Sequence, residues 1–208
     1  MKLCIHPKFA APDVSPLPKA ATVTENLRCP WCGTDPLYVA YHDSEWGRPQ
    51  YDARALWECL MLECFQAGLS WITILRRRDT FRLAFAGFHP EIIADWSEPE
   101  IARLLADPGI IRHRGKIEAT LAGARAFLRI EADIGFAKFI WDHVGGMPIM
   151  DDAATTTDRA DIAKTLAKSL KTEGFKFCGP TIAYAFMQAA GLVNDHLMTC
   201  PYRQLVVV

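Results

Sequence analysis

The sequence predicts an all-α protein. Apolar residues recur at helical spacing in several stretches, capping residues stand where those stretches begin, and no stretch alternates as a strand does. Asp52 caps the first, which runs through Leu56, Leu60 and Cys64 and stops before Gly68. Ser97 with Glu100 three residues on is a capping-box pattern ahead of Ile101, Leu104 and Leu105. Over residues 116–130, Ile117, Leu121, Ala124 and Leu128 fall on one helical face. From Asp158 to about Thr172 the face is Ile162, Leu166 and Leu170, with Gly174 as the stop. Pro180 opens a last helix through Ile182, Phe186 and Ala190, and Gly191 ends it.

These segments sit in a chain of 208 residues, half of them apolar, the size of one domain with a sizeable core. Residues 1–27 read as a disordered tail, because Pro7, Pro12, Pro16 and Pro18 break any periodic pattern. The domain is expected over 28–208. No apolar run is long enough to span a bilayer, and Lys2 is not followed by a signal-like apolar stretch, so a cytoplasmic protein is expected. The formal net charge of −1 gives no whole-molecule attraction for nucleic acid; any DNA contact must come from a local basic patch. Seven cysteines, an odd number, with no export signal, argue for reduced thiols that are free to bind a metal.

Three groups of residues carry possible chemistry. The first is Cys29 with His42 near the start of the domain and His196 with Cys200 near its end. On a helix, positions four apart share a face, so His196 and Cys200 can meet one ion. Two thiolates and two imidazoles make a closed tetrahedral zinc site, which would staple the two ends of the domain together. Cys29-Pro30-Trp31-Cys32 offers a rival pairing, a CxxC that suits redox chemistry or half of another zinc site.

The second group is a carboxylate among aromatic residues. Glu63 lies on the apolar stripe of the helix that starts after Asp52, and Trp31, Tyr38, Tyr41, Trp46 and Trp71 stand nearby or in the adjacent loop. A buried carboxylate needs a partner. Either a core arginine or backbone supplies it, or the partner is a flat cationic guest held between the rings. The third group is basic and glycine-containing. Arg112, His113, Arg114 and Lys116 follow Gly109 just before a helix, and Lys176, Gly179 and Thr181 lie between two others. Helix N-termini next to such loops bind phosphate without reading sequence.

At these residues the chain resembles the DNA-3-methyladenine glycosylase I family. The matching blocks are Arg28-Cys29-Pro30-Trp31, Asp35 through Tyr38, Tyr41 through Gly47, Leu62-Glu63, and Gln66 through Trp71. They continue through residues 109–117, 174–181 and 191–196, and the likeness spans about 28–202. It implies a helix-hairpin-helix glycosylase fold, with zinc on Cys29, His42, His196 and Cys200. The damaged base would lie against Trp71, Tyr41 and Glu63, with Trp31, Tyr38 and Trp46 lining its pocket. Glu63 and Tyr41 would be the catalytic pair. Gly68 and Leu69 would enter the gap left by the flipped nucleotide, and residues 174–181 would grip phosphates. The partners implied are double-stranded alkylated DNA and free 3-methyladenine as product, acted on by a monomer. Related glycosylases carry a catalytic aspartate after the hairpin; here Ile182, Ala183, Tyr184 and Ala185 follow Thr181. No hairpin-adjacent lysine suits Schiff-base chemistry, so hydrolysis without strand cleavage is expected. The competing class is a non-catalytic zinc-bound module that binds damaged DNA. Two stretches depart from the family: the tail before Arg28 and the short apolar end from Gln204 to Val208.

Overall fold

The computed structural model describes residues 27–150 and 158–206. The expected tail lies outside the described residues apart from Leu27. Among the described residues there is no β-strand, only a single bridge between Ile149 and Val193, so the all-α expectation holds. No described helix is long and apolar enough to cross a membrane.

The helices are α1 (Pro36–Ser44), α2 (Ala53–Gln66), α3 (Trp71–Leu75), α4 (Arg78–Ala84), α5 (Pro90–Ile93) and α6 (Glu98–Ala106). They continue with α7 (Arg114–Asp133), α8 (Phe136–Trp141), α9 (Arg159–Thr172) and α10 (Pro180–Ala189). The expected caps form. Asp52 accepts from the Ala55 N–H at 2.8 Å and Asp158 from Ala160 at 2.8 Å. Glu100 reaches back to the Ser97 N–H at 2.8 Å. Gly174 and Gly191 end α9 and α10 in left-handed conformations, at φ of 101° and 72°.

Gly191 is required twice over. A Cβ there would lie 2.4 Å from the Arg48 carbonyl carbon, so the end of α10 rests directly on the backbone after α1.

The core is built around α2. Leu56, Trp57, Leu60 and Phe65 are fully buried there, against Phe81, Phe85, Ile117, Phe136 and Phe186 from the surrounding helices. Because α2 is enclosed on most of its circumference, its apolar residues run round the helix rather than down one stripe. The helices α9 and α10 pack on each other as a hairpin, and α10 also packs on α2. A second, smaller cluster joins Cys29, Tyr41, Trp46, Leu75 and Cys200 beside the main core.

Candidate active site and metal cluster

The site is assembled from α1, the segment before it, α2, α3 and the chain after α10. Asp35 starts α1 by accepting from the Leu37 and Tyr38 N–H groups, and Pro36 stands in the first turn. Tyr38 and Tyr41, expected near Glu63 or in the adjacent loop, lie on α1, a helix that the sequence pattern does not mark. The reason is that α1 serves two sites on different sides, so its residues show little amphipathic order. Tyr38 and Tyr41, three apart, face one side, and His42 turns toward the chain's end.

Cys29, His42, His196 and Cys200 are all buried, and their ligand atoms lie within 4.8 Å of one another. Cys200 Sγ stands 3.5 Å from His196 Nδ1 and 3.7 Å from His42 Nε2; Cys29 Sγ is 3.6 Å from His196 Nδ1. This is the set named from sequence, and it could hold a metal ion. The local geometry differs from the expectation. Residues 196–200 are not helical: Leu197 to Cys200 is a turn closed by Cys200 N–H to Leu197 O at 2.8 Å. Pro201 supplies no N–H to extend a helix backwards, and the turn brings both side chains inward instead.

Surrounding groups fix the ligands. His42 Nδ1 is 2.8 Å from Asp43 Oδ1, and Asp43 in turn receives Arg28 Nε at 2.9 Å. His196 Nε2 lies 3.2 Å from the Trp46 carbonyl, and the Leu197 N–H points at Cys29 Sγ at 3.4 Å. These contacts leave Nε2 of His42 and Nδ1 of His196 for the cluster. Burial pushes the Cys29 thiol up to about 11 and the His196 imidazole down to about 4. Cys32 is buried but turns its thiol to the Cys29 carbonyl at 3.2 Å, away from the cluster. The CxxC therefore splits: one thiol faces the imidazoles, the other faces backbone.

Trp46 is the wall shared with the second feature. Its ring stands 4.7 Å from His196 and 4.8 Å from Trp31. Beyond it lies a cavity of about 270 Å³ lined by Trp31, Tyr38, Tyr41, Trp46, Glu63 and Trp71, with Gln66, Ala185, Gln188 and Asp195. All six residues expected around a base thus meet in one place. Trp31 packs edge-on to Tyr38 at 5.1 Å, and Tyr41 lies 5.5 Å from Trp71.

Glu63 is 4 % exposed. It accepts no hydrogen bond from any described residue, and burial alone pushes its carboxyl up to about 8. The bland alternative, a core arginine as its partner, is not what the structure holds. Tyr41 is also raised by burial, so it keeps its hydroxyl proton. The Trp71 indole N–H is buried without a partner among the described residues.

Sequence reasoning missed Gln66, Ala185, Gln188 and Asp195. Asp195 is held by Tyr184 Oη at 2.5 Å, by Gln188 Nε2 at 2.8 Å and by Arg159. Three of the four come from α10 and the chain after it, and only the packing of α10 on α2 brings them to the cavity. Asp43 was also missed, although its place beside His42 was a signal for a ligand-orienting carboxylate.

The residues expected to touch DNA are all exposed: Gly68, Leu69, Arg112, His113, Arg114, Lys176, Gly179 and Thr181. Two of them have other tasks. Arg114 binds Glu98 at 2.8 Å and Glu118 at 3.4 Å, and His113 Nδ1 caps α7 by accepting from the Lys116 N–H at 3.2 Å. Residues 114–116 form the first turn of α7, and Pro180 and Thr181 the first turn of α10, so both basic loops are shorter than expected.

The chain matches the methyladenine glycosylase family over residues 31–204. It is 48 % identical to DNA-3-methyladenine glycosylase 1 of Escherichia coli, over 83 % of this chain and 95 % of that one. A crystal structure of 3-methyladenine DNA glycosylase I superposes with a TM-score of 0.79 at 50 % identity, covering 84 % of this chain and 98 % of that one. A variant of 3-methyladenine DNA glycosylase I solved in complex with 3-methyladenine gives a TM-score of 0.77 at 41 % identity, again over 84 % and 98 %. The cavity, its buried carboxylate and the extent of these matches lead to one assignment: this chain belongs to the methyladenine glycosylase family.

Proposed function

We propose that this protein hydrolyses the bond between 3-methyladenine and deoxyribose in alkylated DNA, leaving an abasic site. The observation that carries the reading is Glu63, a buried carboxylate in an aromatic cavity with no cationic partner among the described residues. A base chemically attacked within a duplex must leave the stack, and the cavity has the scale of a single base.

Methylation at the 3 position puts positive charge on adenine. When the bond from base to sugar breaks, its electron pair flows into the ring and cancels that charge. The leaving group is therefore already good, and no strong general acid is required. Water adds its hydroxyl to the sugar carbon and releases one proton. The protein's contribution is to bind the cation and hold it in place. Trp71 and Tyr41 stack on it, and the Tyr41 hydroxyl fixes its orientation. Glu63, whose carboxyl burial raises to about 8 in the empty cavity, would lose its proton to solvent as the cation enters and accept from the amino edge. Trp31, Tyr38 and Trp46 close the remaining walls. Hydrolysis without strand cleavage rests on the sequence, in which no hairpin-adjacent lysine suits Schiff-base chemistry.

Zinc fits the four-residue cluster by its chemistry. Zinc–sulfur bonds of about 2.3 Å and zinc–nitrogen bonds of about 2.0–2.1 Å put tetrahedral sulfur and nitrogen ligands roughly 3.5–3.6 Å apart. The separations here are 3.5–3.7 Å. Cys29, His42, His196 and Cys200 would hold the ion, and its role is structural, tying the segment before α1 to the chain after α10. The pairing of α9 with α10 through residues 173–179 supports a helix-hairpin-helix reading, with Lys176, Gly179 and Thr181 toward phosphates. Gly68 and Leu69, between the cavity residues Gln66 and Trp71, would be the element that fills the gap in the duplex, and Leu69 is 40 % exposed. Arg112 extends the contact on the other basic loop.

Chromatography of bases released from dimethyl-sulfate-treated DNA tests the reading. Release of free 3-methyladenine supports it. Binding of the damaged DNA without release would favour a non-catalytic damage-binding module.

A further inference from the structure

Lys116 is a buried charge that the proposed reaction leaves unused. It is 7 % exposed, in the first turn of α7. Its ammonium donates to the Phe65 carbonyl at 2.8 Å and to the Ala67 carbonyl at 2.7 Å. No carboxylate pairs with it among the described residues. Burying an ammonium is costly, so the two carbonyls must be worth holding.

Those carbonyls close α2, the helix that carries Glu63. A helix leaves its last carbonyls without internal partners, and that end carries the negative pole of its dipole. Here α2 ends without the usual left-handed residue directly after it: Ala67 has φ −47° and ψ 116°. A lysine from another helix supplies what the backbone does not. Past this point Gln66 closes the turn on itself. Its Nε2 donates to the Leu69 carbonyl at 2.7 Å, and the Leu69 N–H returns to the Gln66 carbonyl at 2.6 Å. Gly68 sits between them at φ 81°. The turn that presents Leu69 to solvent is thus rigid within itself and anchored to α7 through one side chain.

We propose that Lys116 is a positioning residue that sets the place of Leu69 relative to Glu63, and so couples insertion into the duplex to capture of the base. This rests on Leu69 being the inserting residue. Lys116 also stands in the first turn of α7, just after residues 109–113, the loop expected to meet the DNA backbone. A backbone contact made there would reach the inserting turn through the Lys116 ammonium and its two carbonyl partners.

The test is a double-mutant cycle of Lys116→Met and Leu69→Ala, read in two assays. One is single-turnover release of 3-methyladenine from dimethyl-sulfate-treated duplex DNA. The other is affinity for free 3-methyladenine, followed by quenching of the cavity tryptophans. Lys116→Met is expected to slow release roughly ten- to a hundredfold, as a misplaced element near the reacting group does, while free-base affinity stays within about twofold. The double variant is expected to be no slower than Leu69→Ala alone. Multiplying of the two losses would overturn the proposal, because Lys116 would then act elsewhere. An equal loss of free-base affinity would also overturn it, showing general damage to α2. A Leu69→Ala protein at full rate would instead remove the inserting role of Leu69, and the proposal with it. Should Lys116→Met not fold, Lys116→Gln, whose amide can still donate to one carbonyl, carries the same cycle.

Discussion

Tyr41 and His42 are neighbours on α1 that belong to different sites: Tyr41 lines the aromatic cavity, and His42 Nε2 points into the thiol–imidazole cluster, 3.7 Å from Cys200 Sγ. The rotation between successive helical residues, about 100°, separates the two directions. Anything that fixes His42 therefore fixes the helix that presents Tyr41. Trp46 repeats the arrangement, with its ring in contact with both His196 and Trp31.

Metal removal should act on both sites. The purified protein is expected to hold about one zinc per chain. His196→Ala should lose it, melt at lower temperature and bind free 3-methyladenine more weakly. Cys29→Ala should lose it too, whereas Cys32→Ala should keep it, because the Cys32 thiol faces backbone. Metal analysis of the three variants decides this; full zinc in His196→Ala would remove it from the ligand set.

Glu63 should make the protein less stable as pH rises. Its folded-state carboxyl titrates near 8 against 4.5 unfolded. Between those values the folded state keeps a proton that the unfolded state has released, so stability falls through this window, by at most about 1.4 kcal/mol per pH unit. Below pH 4.5 both states are protonated and the loss vanishes. Glu63→Gln cannot ionise. Its melting temperature is expected to exceed that of the wild type at pH 8 by several degrees and to converge with it toward pH 5. A constant difference across this range would show that Glu63 is already ionised in the folded protein.

The two basic loops should differ in how they bind DNA. Lys176 is exposed and forms no ion pair among the described residues, whereas Arg114 is committed to Glu98 and Glu118. Lys176→Ala should reduce the slope of log K against log salt by about 0.9, the share of one phosphate contact. Arg114→Ala should change it much less. Equal changes in a salt titration would mean that Arg114 leaves its carboxylates on binding.

The elements that were legible in the sequence are those whose signals are local. Asp52, Ser97, Asp158 and Pro180 each start a helix where the residue type says they should, and the four cluster residues converge as named. What was not legible depends on distant packing. The helix α1 carries two sites, so it shows no single apolar face. His196 and Cys200 meet through a turn, which four-residue spacing allows as readily as a helix does. Gln188 and Asp195 reach the cavity through the packing of α10 on α2, with Gly191 letting α10 end against the chain after α1. Lys116 read as one more charge in a basic loop; its burial follows from α7 crossing the end of α2.

The central claim is that Glu63 recognises the edge of a cationic base. Both 3-methyladenine and 7-methylguanine are cationic in DNA, so charge cannot separate them. At the corresponding edge adenine offers an amino donor and guanine an oxygen acceptor. An ionised Glu63 accepts from the first and is left unpaired against the second. Chromatography of the bases released from dimethyl-sulfate-treated DNA measures this directly. The wild type is expected to release 3-methyladenine and leave 7-methylguanine largely in place. Glu63→Gln, whose amide both donates and accepts, should release 3-methyladenine more slowly and narrow the gap. Equal release of both bases by the wild type, or an unchanged rate in Glu63→Gln, would contradict the account.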